Sequence, residues 1–301
     1  MRRLNRLVFL SAFLCIGCTN SNDATTEIDE ADSTTGADAD PSDGADATEE
    51  VSLELGLALL NSQREAAGLL PVTVDENLSI GCLAHVRYMQ GEEKVVHEQD
   101  PSSPYFSEAG AATGKNGNLA GDMSSLQEAV DYWLLSLYHR LPLLDPGVQV
   151  VGVAFEKGYA CIDLFSAFEA ASDYPAVAFP HHQQQDVPTS YTPTDVVHPL
   201  PSSLNAPSGP VISLMYPPKR QLGDDFEMRI VVEATGALVD SFTRLPNDPS
   251  DPYATYQLNT VVTIPTLPLQ PAETYRVLVT GSVDEELIEK QWLFTTGTDQ
   301  P

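Results

Sequence analysis

The chain has 301 residues and is 42% hydrophobic, long and apolar enough for two modest domains with real cores. Against 15 basic residues stand 43 acidic ones, a formal charge of -28. That balance excludes nucleic acid and anionic membrane surfaces as partners, because like charges repel.

The amino terminus reads as an address. Arg2, Arg3 and Arg6 precede the apolar run Leu7 to Ile16, which is too short to span a bilayer and fits a signal peptide. The ending LCIGC resembles a bacterial lipobox, although Cys15 stands where Leu is usual. The resemblance implies a signal peptide over 1–18, with Cys18 as the lipidated residue. The alternative is an ordinary secretory signal cleaved nearby. Either way the protein is expected to be exported. With the anchor it sits on the cell envelope, at the outer surface or in the periplasm; without it, it is secreted. Residues 19–50 carry eleven acids, no base and little apolar surface besides Ile28. Such a segment cannot bury enough area to offset chain entropy, so it is expected to be a disordered acidic tether.

A first folded domain is expected over 51–168. Leu53, Leu57, Leu60 and Arg64 share one helical stripe, and Gly68 is a plausible stop. Asp75 is a good N-cap for a second helix, on which Leu78, Cys82, His85, Val86 and Met89 fall on one face. His85 is therefore read as a core residue rather than a ligand. Gly91 to Gly121 is irregular, rich in Gly and Ala, and carries His97; loops of this length are commonly functional or disordered. A third helix starts at Ser125, with Leu126, Ala129, Val130, Trp133, Leu134 and Leu137 as its apolar face. Ser125 and Glu128 fit the capping box, which offers Glu128 a structural role beside a site role. His139 lies eleven residues after Glu128, roughly 16 Å along an unbroken helix, so the two meet only if the chain folds back. Leu141-Pro142 disfavours continuation by that point. A hairpin follows: Val148 to Phe155, a turn at Glu156-Lys157-Gly158, then Tyr159 to Phe165. Helices followed by strands predict an α+β layer structure.

These segments resemble the CAP family (cysteine-rich secretory, antigen 5 and pathogenesis-related proteins, also called SCP-like). Asn61-x-x-Arg64, Gly68-Leu69-x-Pro71, Asp75-x-x-Leu78 and Ala84-His85 are similar to the family's opening. Trp133-x-x-Ser136-x-x-His139-Arg140-x-x-Leu143-Leu144, followed by GVAF, is similar to its signature helix and first hairpin strand. The resemblance implies an α-β-α sandwich with a cleft lined by two His and two acids, where in some members the His bind a divalent metal such as zinc. Carried over, His97 and His139 are the cleft histidines and the expected metal ligands, and Glu128 is one acid. The second acid normally precedes Asn in a Gly-Glu-Asn segment. Here the run is NGNLA, so Gly117 replaces the acid and only Asn118 remains, with Glu108 as a candidate substitute.

Cys82 and Cys161 remain after Cys15 and Cys18. In an exported protein they are expected to form either a disulfide or a pair of buried thiols. Prolines crowd 169–210, which reads as a stiff extended linker. Beyond it, over 211–299, VISLMYP, FEMRIVVEA, TVVTIPTLPL, TYRVLVTGSV and QWLFTTG read as strands of an all-β sandwich. LPLQPAETYRVLV and the closing WLFTTG resemble bacterial Ig-like or fibronectin-III-like modules.

Three functions follow. The first is a surface-anchored CAP-domain binding module for a lipid or sterol-like ligand or a partner envelope protein, with zinc as a weak cofactor and the membrane reached only through the anchor. The second is a metal-assisted hydrolase using His97, Glu128 and His139. The third is a structural envelope or adhesion protein. Binding is preferred over catalysis, since no G-x-S-x-G nucleophile occurs and both domain cysteines look buried.

Overall fold

The computed structural model describes residues 42–171, 173–194, 197–246, 248 and 251–298. The signal segment, Cys18 and the tether up to residue 41 lie outside the described residues. The first helix, α1, spans Ser42–Ala66. It therefore begins inside the segment expected to be disordered up to residue 50. Once the stripe of Leu53, Leu57 and Leu60 nucleates a helix, each added turn costs little.

The Asn-x-x-Arg motif proves to be a fastening device. Asn61 Nδ2 donates to the Val72 carbonyl at 3.1 Å, and the Val72 N–H donates to Asn61 Oδ1 at 2.7 Å. Asn61 thus pairs with the extended link as a neighbouring strand would. Arg64 is fully buried and donates to the carbonyls of Leu70 (3.0 Å), Leu143 (2.6 Å) and Val148 (2.7 Å). Burial pushes its pKa down to about 10, with the Asp145 charge acting in the opposite direction.

The link leads into β1 (Thr73–Val74) and α2 (Glu76–Glu92), whose start is capped by Asp75 accepting from the Leu78 N–H at 3.0 Å. The stretch read as irregular contains a short helix, α3 (Glu108–Gly114), and a strand, β2 (Gly117–Ala120). The Trp helix is split. α4 runs Leu126–Leu135, Ser136 is extended with ψ 125°, and α5 runs Leu137–Leu143. The break falls before His139, and Pro142 sits inside the last turn of α5 rather than ending the helix ahead of it. Then come β3 (Val150–Glu156) and β4 (Tyr159–Asp163), joined through Lys157 (φ 46°) and Gly158 (φ 84°). Two successive positive φ values make this a primed two-residue hairpin turn.

The sheet order is β1-β3-β4-β2, with β1 parallel to β3 and the other pairs antiparallel. Side chains alternate across it. Cys161 and Ala154 face α2 with Cys82, Val86 and Met89. Val151, Val153, Phe155, Ala160 and Ile162 face α1, α4 and α5 with Leu60, Trp133 and Leu137. This is the expected α-β-α arrangement.

The proline-rich segment is not a free linker. β5 (Val177–Phe179) and β6 (Gln184–Val187) lie within 169–210, so the sandwich begins well before residue 211. It continues with β7 (Ile212–Met215), β8 (Glu227–Val232), β9 (Leu238–Val239), β10 (Ser241–Arg244), β11 (Thr260–Pro265), β12 (Thr274–Val283) and β13 (Glu286–Thr296). The two sheets have orders β10-β11-β7-β5 and β6-β13-β12-β8-β9. β5 and β6 are both edge strands, the place in a sheet where neighbouring prolines are tolerated.

The four-stranded sheet is covered on both faces. Ile212, Leu214 and Val261 pack against Ile230, Val277, Trp292 and Phe294 of the other sheet. Val177, Phe179, Met215, Val262 and Ile264 join the core built by α1, α4 and α5. That double burial is why β7 and β11 read as unbroken apolar or small-residue runs rather than alternating ones. A polar latch adds to the contact: the buried Arg244–Asp251 ion pair (2.8 Å) receives the Tyr138 hydroxyl of α5 at 3.4 Å.

Candidate functional site

The expected cleft residues are carried by different elements. His85 is fully buried on α2. Its Nε2 lies 2.8 Å from the Val96 carbonyl and its Nδ1 3.0 Å from Gln99 Nε2. Gln99 Oε1 accepts the Ser107 N–H at 2.9 Å, which orients the amide so that Nε2 donates to His85. His85 therefore carries its proton on Nε2 and gives it to Val96. Burial lowers its pKa, the carbonyl contacts oppose that, and the nearby His97 adds to it. Gly114 fits against this ring because a Cβ there would stand 2.2 Å from His85 Cε1. His85 is thus a satisfied core residue that fastens the 93–107 loop.

His97 is exposed, and its Nδ1 lies 2.8 Å from the Gly114 carbonyl at the end of α3. Glu108 is exposed in the first turn of α3, behind the Ser107 cap. Glu128 is exposed too, and its carboxylate accepts from both the Ser124 N–H and the Ser124 hydroxyl at 2.6 Å. Those bonds hold it below its usual pKa. The Ser125 hydroxyl accepts the Glu128 N–H at 3.1 Å, so Glu128 completes a helix cap. His139, on α5, has Nδ1 3.2 Å from the Ser136 hydroxyl, and its carbonyl accepts from Asn118 Nδ2 at 2.8 Å.

The structure thus joins Asn118 to His139, while Glu128 is bound at the start of α4. Gly117 has a steric reason: a Cβ there would stand 2.4 Å from the Ile162 carbonyl oxygen, so a Glu needs the strand to move. Among the described residues, no group of three or more His, Cys, Asp or Glu comes together in a way that could hold a metal ion.

Cys82 of α2 and Cys161 of β4 are joined by a disulfide, with Cα atoms 5.5 Å apart. Both are fully buried, on the sheet face away from α4 and α5.

A site the sequence did not reveal lies between α4–α5 and the start of the sandwich. It is a groove of about 470 Å³, walled by Tyr132, Leu135, Phe179, Val187, Tyr191 and Val211. Arg140 also lines it, and so does Gln63 of α1. Its walls are brought together only by the packing of β5 and the 184–194 stretch against the helices, so no single motif marks it. The nearest signal was Arg140, a cation among the leucines of α5.

The α-β-α layers and the signature helix lead to a family. Residues 57–167 match the family model described as the cysteine-rich secretory protein family, CAP, and this part of the chain is a CAP domain. Among solved structures, one similar chain is an extracellular protein containing a SCP domain from Bacillus anthracis str. Ames, 21% identical, with a TM-score of 0.37. The match covers 43% of this chain and 45% of that one, so the chain spans less than half of that protein's length. A search of curated proteins finds no match.

Proposed function

We propose that this is an exported CAP-domain binding protein that holds a small, largely apolar lipid-like ligand in the groove between α4–α5 and the sandwich. The observation that carries this is the groove itself. About 470 Å³ lies within the range of small-molecule sites, and apolar and aromatic walls with a few polar groups are their usual lining. Its concave form favours a small ligand over a protein face. Export fits the basic and apolar amino terminus and the disulfide, and anchoring through Cys18 would hold the groove near a membrane. The hydrolase alternative is weaker because Glu128 is occupied by Ser124 and acid–base work needs groups within hydrogen-bond reach of one another.

The test is binding of long-chain amphiphiles, followed by native mass spectrometry and calorimetry. One molecule of dodecanol or laurate per chain is expected. Leu135→Asp puts a charge on an exposed groove wall without touching the core, and should weaken binding by about tenfold or more. No binding of either compound, or binding unaffected by Leu135→Asp, removes this reading.

A further inference from the structure

A second pocket, of about 800 Å³, lies where the turn after α5 and the chain leaving β4 meet the sandwich. It shares no lining residue with the groove at Arg140. Phe168, Tyr174 and Tyr216 give it three aromatic rings, and Leu258 is an exposed apolar wall. Among the described residues, Asp145 is the one acid that lines it. Its Oδ1 accepts the Gly147 N–H at 2.7 Å, and its backbone carbonyl accepts from Arg64 Nη1 at 3.2 Å and from the Val148 N–H at 3.1 Å. These bonds make Asp145 a turn residue, and they leave Oδ2 with no hydrogen bond or ion pair among the described residues. Oδ2 is not sealed inside the protein, so a molecule in the pocket can reach it.

Burial raises the Asp145 pKa, against the Gly147 hydrogen bond and the Arg64 charge, which lower it. A cation brought into the pocket would offset that burial. The Tyr174 ring is a neighbour of this carboxylate. Its hydroxyl donates to the Tyr216 carbonyl at 3.2 Å, and its pKa is raised by burial and then by the Asp145 charge. The pocket also holds one base, Arg220. That guanidinium is already taken by Asp173 at 3.0 Å and Asp284 at 2.8 Å. Two carboxylates on one guanidinium leave that corner net negative, so it offers no seat to an anion.

We propose that this second pocket binds a small organic ammonium, its N–H groups donating to Asp145 Oδ2 and its apolar body lying against Phe168, Tyr174 and Tyr216. Aromatic rings attract cations, and an ammonium hydrogen-bonded to a carboxylate makes one of the stronger polar contacts. The formal charge of -28 draws cations toward the protein and repels anions. The site stands apart from the groove at Arg140, and either can fail without the other.

The test uses the full chain and calorimetry at pH 7.5 in about 0.15 M salt, where attraction to exposed acids is largely screened. Phenethylamine, protonated at this pH, is compared with phenylethanol, its uncharged counterpart, and with phenylacetate, which carries the opposite charge. Phenethylamine should bind about tenfold tighter than phenylethanol, the difference expected of a charge-assisted hydrogen bond, and phenylacetate more weakly than both. Asp145→Asn keeps an acceptor for the Gly147 N–H and removes the charge. In it the preference for phenethylamine should fall to near one. No binding of phenethylamine, or equal affinity for all three compounds, overturns the inference. A preference that survives in folded Asp145→Asn assigns the attraction to the acidic surface at large and overturns the site. If Asp145→Asn does not fold, Leu258→Lys, which puts a like charge on the exposed wall, decides. Phenethylamine bound about tenfold more weakly supports the site, and unchanged binding overturns it.

Discussion

His85 is the residue whose protonation the fold opposes most plainly. A second proton must go on Nδ1, where Gln99 Nε2 already donates, and Gln99 cannot turn over without losing the Ser107 N–H. Its pKa is lowered on folding, so the unfolded chain binds the proton first. The cost is absent above about pH 6.5 and grows as pH falls from there toward the folded value. The expected outcome is a melting temperature that drops between pH 7 and pH 5. His85→Gln keeps a donor for Val96 but cannot titrate. It should lose about 1–2 kcal/mol at pH 7 and show a flatter pH dependence over that window, measured by urea denaturation at each pH. The same scale explains Gly117: the position that the family resemblance fills with an acid is here closed by the Ile162 carbonyl.

At the scale of elements, the disulfide couples α2 to β4 across 79 residues of chain. In the chain-entropy account, closing a loop of that length stabilises by roughly 4 kcal/mol. Because both cysteines are fully buried, dithiothreitol alone should leave the native protein folded. Reductant together with urea should shift the unfolding midpoint to lower urea by an amount equivalent to about 2–4 kcal/mol, and Cys82→Ala with Cys161→Ala should reproduce the shift. An unchanged midpoint would argue that the bond contributes nothing.

Elements with one buried face were legible in the chain. The periodicities of α2 and α4, the Asp75 and Ser125 caps and the turn at Lys157-Gly158 all act over a few residues. α3 was not legible, because Glu108–Gly114 is built of small residues with no apolar stripe to set a period. β5 and β6 were hidden by their prolines, which read as linker until a sheet edge receives them. The candidate site divided in the same way. The Ser125–Glu128 cap was visible in four letters, whereas the Arg140 groove depends on Phe179, Tyr191 and Val211 arriving from distant parts of the chain.

For the molecule as a whole, the residues of the CAP match do not end where a core ends. Val177, Phe179, Met215, Val262 and Ile264 belong to the same apolar cluster as Leu60 and Leu137. A fragment of residues 51–168 should therefore expose the apolar faces of α4 and α5. It is expected to aggregate or to melt at least about 5 °C below the full chain, while the full chain should unfold in a single transition by calorimetry. Two well-separated transitions, or a soluble fragment of equal stability, would show that the parts are independent.

The sheet that faces both ways also sets what variation the protein can tolerate. Its inner strands, β7 and β11, answer to two neighbours at once, so a change in volume on either side is felt by the other. The sandwich cannot be traded for an unrelated module in the manner of beads on a string. Any replacement would have to reproduce a surface already cut to the shape of the helices beneath it.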